Sequence, residues 1–165
     1  MKKRVIRYIL SAIIVILSVF TVGCESSKTK NTAYINEYIG FENGIEFMVT
    51  RHIYKSTIEV GYYTYRTEDT FLCLEIKVKN GSDSGYHGNS TDIWLLHGKT
   101  KIYQVDIVKR WTDGFYNISQ PATTTKTYIA CFELSADIPF SDLILVIDNG
   151  EWLNSEQVKI LMKSR

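Results

Sequence analysis

Between Phe71 and Asn80 the chain alternates without a break. Leu72, Leu74, Ile76 and Val78 are aliphatic, and Cys73, Glu75, Lys77 and Lys79 stand between them. A period of two puts the first set on one face of a strand and the second on the other, so one face is buried and one is wet. A helix cannot use this pattern, because at 3.6 residues per turn the leucines would spiral round its surface. The run ends in Asn80-Gly81-Ser82-Asp83-Ser84-Gly85, which is dense in turn-forming residues.

From Ile45 onward no stretch sustains a helical period. Further strands are expected at Ile45–Tyr54, about Val60–Tyr65, Asp92–Leu96, Lys101–Val108, Thr123–Leu134, Leu143–Asp148 and Gln157–Met162. Asn149-Gly150 and Asp113-Gly114 are two-residue hairpin signals. Residues 33–41 fit a short helix and an extended arm equally well. Aromatic residues make up 13% of the chain, led by eleven tyrosines, a composition suited to pleated, half-buried surfaces. Seven or eight short strands without helices can bury their apolar faces only against one another. The expected fold is therefore all-β, a two-sheet antiparallel sandwich.

The N-terminus has a different character. Lys2, Lys3, Arg4 and Arg7 precede an uncharged stretch from Tyr8 to Val22, followed by Gly23-Cys24. This is the architecture of a signal peptide, and the stretch is shorter than the roughly 20 residues of a membrane-spanning helix. Thr21 and Gly23 satisfy the small-residue rule for cleavage before Cys24. The polar run Glu25–Thr32 reads as a flexible tether. The expected organisation is a signal peptide over 1–23, a tether over 24–40 and one domain over 41–165. Four of the nineteen basic residues fall in the signal segment and all eighteen acidic residues follow it, leaving fifteen against eighteen in the mature chain, a net charge of −3. Without a basic run, nucleic acid is excluded as a partner class.

Two local patterns resemble known families. Thr21-Val22-Gly23-Cys24 resembles the lipobox of bacterial lipoproteins, in which the cysteine is acylated and becomes the new N-terminus; Thr21 departs from the aliphatic residue usual there. That resemblance implies a lipid on Cys24 and a protein held at the cell membrane, facing outside the cytoplasm. The second pattern joins the Phe71–Asn80 run, Gln120-Pro121-Ala122-Thr123 leading into Tyr128–Leu134, and Leu143-Ile144-Leu145-Val146 with Trp152. It resembles a family of Gram-positive lipoproteins with an immunoglobulin-like domain of unknown function, related in fold to a small secreted mycobacterial immunoprotective antigen. The resemblance covers about residues 40–162 and implies an immunoglobulin-like sandwich. It brings no catalytic residues.

By alternation, Cys73 lies on the polar face of its strand, and Cys131 lies with Ile129 and Glu133 opposite Ala130, Phe132 and Leu134. In an immunoglobulin-like order these strands are antiparallel neighbours in one sheet. A bridge within that sheet and two free thiols are both open, and a bridge requires Cα atoms within about 7 Å. It would differ from the buried inter-sheet bridge of antibody domains.

Tyr62, Tyr63 and Tyr65, with Arg110, Trp111, Phe115 and Tyr116, are the candidate binding surface, since aromatic residues and Arg dominate recognition sites. The competing reading makes half of them core residues or cross-strand pairs. His52, His87 and His97 lack ligand spacing, and Asp83 alone supplies charge to the turn at 81–85, so neither metal nor cofactor is expected. Nucleophile-elbow, phosphate-loop and zinc-protease motifs are missing from the sequence. A non-enzymatic binding or accessory module for a protein or cell-wall ligand is therefore favoured over an envelope-acting enzyme. An inhibitor or immunity lipoprotein is a special case of the former.

Overall fold

The computed structural model describes residues 31–87, 92–106, 114–115, 118–150 and 155–165. Cys24 and the whole expected signal segment lie outside them, as do Arg110, Trp111, Tyr116 and Trp152.

The described chain is nearly all β. The alternating run occupies the second half of β4 (Tyr63–Asn80), which pairs antiparallel with β3 (Ile45–Val60) on one side and β9 (Thr125–Leu134) on the other. Leu72, Leu74, Ile76 and Val78 are all fully buried, as the pattern requires. With β2 (Ile39–Gly40) beside β3, these strands form one sheet in the order β2-β3-β4-β9. The second sheet runs β1-β11-β10-β6-β7, built from β1 (Thr32–Tyr34), β6 (Asp92–His97), β7 (Thr100–Tyr103), β10 (Leu143–Asp148) and β11 (Gln157–Leu161). A small pair, β5 (Tyr86–His87) and β8 (Ser119–Gln120), stands apart.

One apolar cluster draws on both larger sheets, with Leu72, Leu74 and Ile76 of β4 and Phe132 of β9 joined to Leu95, Leu145, Ile147 and Ile160. Each such side chain contributes roughly 1.5–3 kcal/mol by leaving water, and this burial holds the sheets together. The outer face of the first sheet is wet where the sequence places charge. Lys79 pairs with Glu46 across the strands, and Arg51 lies 3.5 Å from Glu75. The hydrogen bond that Lys79 donates to Glu46, then the Glu46 charge, raises the Lys79 pKa above the usual lysine value.

Several boundaries differ from the sequence expectation, each for a local reason. The domain begins ten residues earlier than 41, because Thr32–Tyr34 runs parallel to β11 and Ile39–Gly40 pairs with β3. Asn36, at φ 65°, turns the chain from one sheet to the other, and its N–H reaches the Val49 carbonyl at 2.9 Å. The expected strand Val60–Tyr65 is a turn flanked by two long strands, since Gly61 at φ 59° reverses the chain where β3 meets β4. Thr123 at φ 56° delays β9 to Thr125. The expected strand from Lys101 to Val108 ends at Tyr103, after which Gln104 bridges to Phe132 and Val105 N–H donates to the Cys131 carbonyl at 2.9 Å. The chain thus leaves one sheet for the edge of the other. Asn149-Gly150 does follow β10, but the connection to β11 spans residues 149–156 and is not a two-residue turn. Asp148 Oδ1 accepts from Gly150 N–H at 2.8 Å, and Asn149 Oδ1 accepts from Glu156 N–H at 3.0 Å, closing this wider loop. Asp113 lies outside the described residues, while Gly114 bridges in parallel to Ile129.

Eleven strands are present among the described residues against the seven or eight expected. The additions are pieces of two or three residues, too short to carry a period.

The turn after β4 is organised by one buried amide. Asn80 Oδ1 accepts from Ser82 N–H and Oγ at 3.0 and 2.7 Å, while its Nδ2 donates to the carbonyls of Ser84 and Pro121 at 2.8 and 3.2 Å. Gln120 beside it donates to the carbonyls of Val78 and Thr124. Both amides are at most 2% exposed. Replacing Asn80 with Ala orphans these groups, and urea unfolding is expected to show a loss of about 1–3 kcal/mol.

Candidate functional site

The β3–β4 hairpin is the most unusual part of the domain. Past Lys55 its two strands stop matching: between the pairs Lys55–Phe71 and Thr57–Arg66, β3 supplies only Ser56 while β4 supplies residues 67–70. The extra residues form a wide bulge, which bends the strand and re-aims its side chains. Thr67 Oγ1 donates to Glu133 of β9 and accepts from Asp69 N–H at 3.0 Å, tying the bulge to the neighbouring strand.

The remodelled hairpin brings Ile58 and Val60 into a second apolar cluster with Phe71, Cys73 and Cys131, against which Tyr65, Val105 and Ile129 pack. Cys73 and Cys131 are direct register partners on β4 and β9, with Cα atoms 4.2 Å apart, and their sulfurs are joined in a disulfide. The bridge is internal to one sheet. The polar, outward environment expected for the two cysteines is corrected, because Cys73 is 6% exposed and Cys131 not at all. They face away from the main core, yet the hairpin and the segment at Val105 cover them.

The aromatic candidates separate. Tyr62 is fully exposed at the hairpin turn, and Tyr63 beside it is 58% exposed. Tyr65, 6.5 Å from Tyr63 between ring centres, packs on the disulfide cluster. Phe115 is the correction in this group: it is completely buried, 6.0 Å from the Phe47 ring, and belongs to the core. Gly114 and Ile118 are buried as well.

The histidines are scattered. His52 stacks on Phe140 at 3.8 Å with the rings 17° apart and meets the edge of Tyr54 at 6.0 Å. Burial raises the Tyr54 hydroxyl pKa. His87 Nδ1 lies 3.4 Å from Ser119 Oγ, and His97 pairs with Leu143 and Thr100 in the second sheet. Among the described residues no three His, Cys, Asp or Glu side chains converge as metal ligands would. The sequence signal for the hairpin was incomplete, because Arg66, Asp106 and Glu133 around its base carry no motif. Strand register positions Arg66 and Glu133, and the segment after β7 brings Asp106 beside them.

Comparison with solved structures matches this topology. The yjhA protein of Bacillus subtilis superposes with a TM-score of 0.59 at 12% identity, covering 78% of this chain and 98% of that one. A Clostridium difficile protein described as an uncharacterized β-sandwich gives 0.52 at 16% identity, covering 80% and 93%. The chain has a β-sandwich fold. A third match, the ycdA protein of Bacillus subtilis, described as a "putative lipoprotein", gives 0.50 at 17% identity over 74% of this chain and 38% of that one. No protein-family model matches the sequence, and no curated protein matches it. At these identities the likeness speaks for the fold alone.

Proposed function

We propose that the protein is an extracytoplasmic lipoprotein, anchored by an acylated Cys24, whose immunoglobulin-like sandwich is a non-enzymatic module that presents the β3–β4 hairpin to a protein or cell-wall ligand. The observation that carries this reading is the hairpin itself. It ends in Tyr62 and Tyr63 exposed to solvent, while its base is fastened by a buried disulfide. Exposed tyrosines on a fixed support bring large contact area at low entropic cost.

Other features support the remaining parts. A disulfide is at home in an oxidising compartment outside the cytoplasm. The strand order β1-β11-β10-β6-β7 facing β2-β3-β4-β9 agrees with an immunoglobulin-like arrangement. The carbonyl of Asn31, the first described residue, accepts from Lys159 N–H at 3.0 Å near the start of β11. Glu42, just ahead of β3, is bound at that same end, its N–H donating to the Glu156 carboxylate at 3.1 Å. From there β3 runs sixteen residues, up to about 50 Å of extended chain, before reaching the tyrosines. Asn31 and the start of β3 thus lie near one end of the sandwich, and the hairpin turn lies sixteen strand residues away.

Capture from detergent-solubilised membranes of the source cells tests the module, using tagged full-length protein beside a Y62A/Y63A variant. The expected result is a partner retained by the parent and lost by the variant. Identical captured sets from both would remove the hairpin from the proposal, and an unmodified Cys24 in the mature protein by mass spectrometry would remove the anchor.

A further inference from the structure

The two sheets differ on their outer faces. In an antiparallel sandwich the outward side chains are ordinarily polar, alternating with the core set, and the first sheet obeys with Glu46, Lys79, Arg51 and Glu75. In the second sheet Leu95, Leu143, Leu145, Ile147 and Ile160 join the core. The residues between them point the other way, and strand register sets them in two rows. One row runs Tyr103, Trp94, Val146, Lys159, and the next runs Lys101, Leu96, Ile144, Leu161, Tyr34. Apart from the two lysines every member is apolar or aromatic, which is why Leu143–Ile147 is an unbroken aliphatic run, the pattern of a strand covered on both sides. We propose that this face of the sandwich docks on the bilayer, against anionic lipid headgroups. The proposal rests on the reading in which an acylated Cys24 holds the protein at a membrane, and adds which side of the domain meets it.

Three observations favour lipid as the occupant. The first is reach. Six residues separate Cys24 from Asn31, so the chain between them extends at most about 25 Å, and it continues into β1, an edge strand of this same sheet. The second is chemistry. Rings with a polar tip and lysines with long apolar stems gather where hydrocarbon meets headgroups. Tyr34 and Tyr103 stand on the two edge strands, Tyr103 66% exposed, and Lys101 and Lys159 are exposed within the rows. Asp92 and Asp148 follow at one end, where Ser155 and Gln157 already donate to the Asp148 carboxylate. A second copy of this face would offer the two lysines no counter-charge within the rows, whereas anionic headgroups do.

The third observation is Trp94. It is 6% exposed, and its Nε1 has no hydrogen-bond acceptor among the described residues. A donor shut away without a partner is costly. Lys101 helps to shut it away, its Nζ lying 4.0 Å from the ring centre. On an anionic surface that ammonium turns to a lipid phosphate, as lysines at interfaces do, and the uncovered indole N–H meets a phosphate or ester oxygen. With this face down, the β3–β4 hairpin, which belongs to the other sheet, is left clear of the lipid.

The test uses full-length protein carrying Trp111→Phe and Trp152→Phe, which leaves Trp94 as the single emitter. It is incorporated into vesicles of phosphatidylcholine and phosphatidylglycerol made with and without brominated acyl chains. Bromine is expected to quench Trp94. It should spare a reporter at the hairpin tip, Tyr62→Trp in a chain whose other tryptophans are phenylalanine. Lys101→Gln should lower the ratio of docked to undocked protein by about fivefold, the share of one lysine near an anionic surface. Trp94 left unquenched in vesicle-bound protein, or both reporters quenched alike, overturns the proposal. An unquenched Trp94 in protein that cross-links to a second copy through Tyr103 overturns it in favour of a dimer. If thermal melts show that the tryptophan variants do not fold, the parent is labelled instead with a water-soluble acetylating ester. Labelling of Lys101 and Lys159 should then slow when phosphatidylglycerol is added to phosphatidylcholine vesicles while Lys77 of the first sheet is unaffected, and equal rates overturn the proposal. Mass spectrometry of Cys24 in the same samples keeps the two readings apart. An unmodified cysteine with Trp94 quenched removes the anchor alone, and an acylated one with Trp94 unquenched removes the docked face alone.

Discussion

A C73A/C131A double variant is expected to lose about 4 kcal/mol of stability, and its melting temperature to fall by roughly 10–20 °C, measured by circular dichroism under oxidising conditions. The magnitude comes from the unfolded chain. The bridge joins residues 58 apart in sequence, so it removes from the denatured ensemble all conformations in which a loop of that length is open. Two further effects act in the same direction. Alanine in place of each cysteine leaves a void against Ile58, Val60 and Phe71, and the hairpin loses the firm surface on which Tyr65 rests. Reductant added to the folded parent should have little effect at moderate temperature, because Cys131 is fully buried and Cys73 only 6% exposed. A double variant that melts with the parent would mean that strand pairing alone fixes this part of the sheet.

Phe115→Ala is expected to cost about 3–5 kcal/mol, as measured by chemical denaturation, the range for removing a large buried aromatic ring. Phe115 continues a row of rings in which Phe41 and Phe47 lie 5.2 Å apart and Phe47 and Phe115 lie 6.0 Å apart, so its removal empties a space that rigid neighbours cannot refill. Tyr62→Ala is the matching control. With its side chain fully in solvent, it should change stability by no more than about 0.5 kcal/mol. The pair of measurements assigns two residues of similar chemistry to opposite roles, one to the interior and one to the surface.

The contrast between these two residues shows what was legible in the sequence. The Phe71–Asn80 alternation carries its own geometry, since whichever partners flank that strand, Leu72, Leu74, Ile76 and Val78 must share a face. The adjacency of Cys73 and Cys131 was within reach once a strand order was assumed. Their burial was not. It depends on Ile58 and Val60, which precede Cys73 by more than ten residues and reach it only because the strands fall out of register after Lys55. No periodicity encodes a mismatch of that kind. Phe115 was obscured by its neighbours for a related reason, because a segment rich in turn residues reads as surface loop even where one of its side chains is fully buried. The short strands at Thr32–Tyr34 and Ile39–Gly40 owe their existence to the edges they meet, and three residues cannot announce a parallel partner more than a hundred positions away.

That first strand has a mechanical consequence. β1 lies parallel to β11, with Ile35 N–H donating to the Leu161 carbonyl at 3.2 Å and Lys159 N–H donating to the Asn31 carbonyl at 3.0 Å. A pull applied to Asn31 along the strand axis would act across the direction of these hydrogen bonds, and so load them together in shear. Beyond them the tension meets Asn36 on Val49 and then the β2–β3 pair, two further holds placed in series. A domain tethered at this end and gripped at the far hairpin would thus resist drag through its N-terminal seam, with the cross-linked β4–β9 pair lying beyond the first bonds to give way.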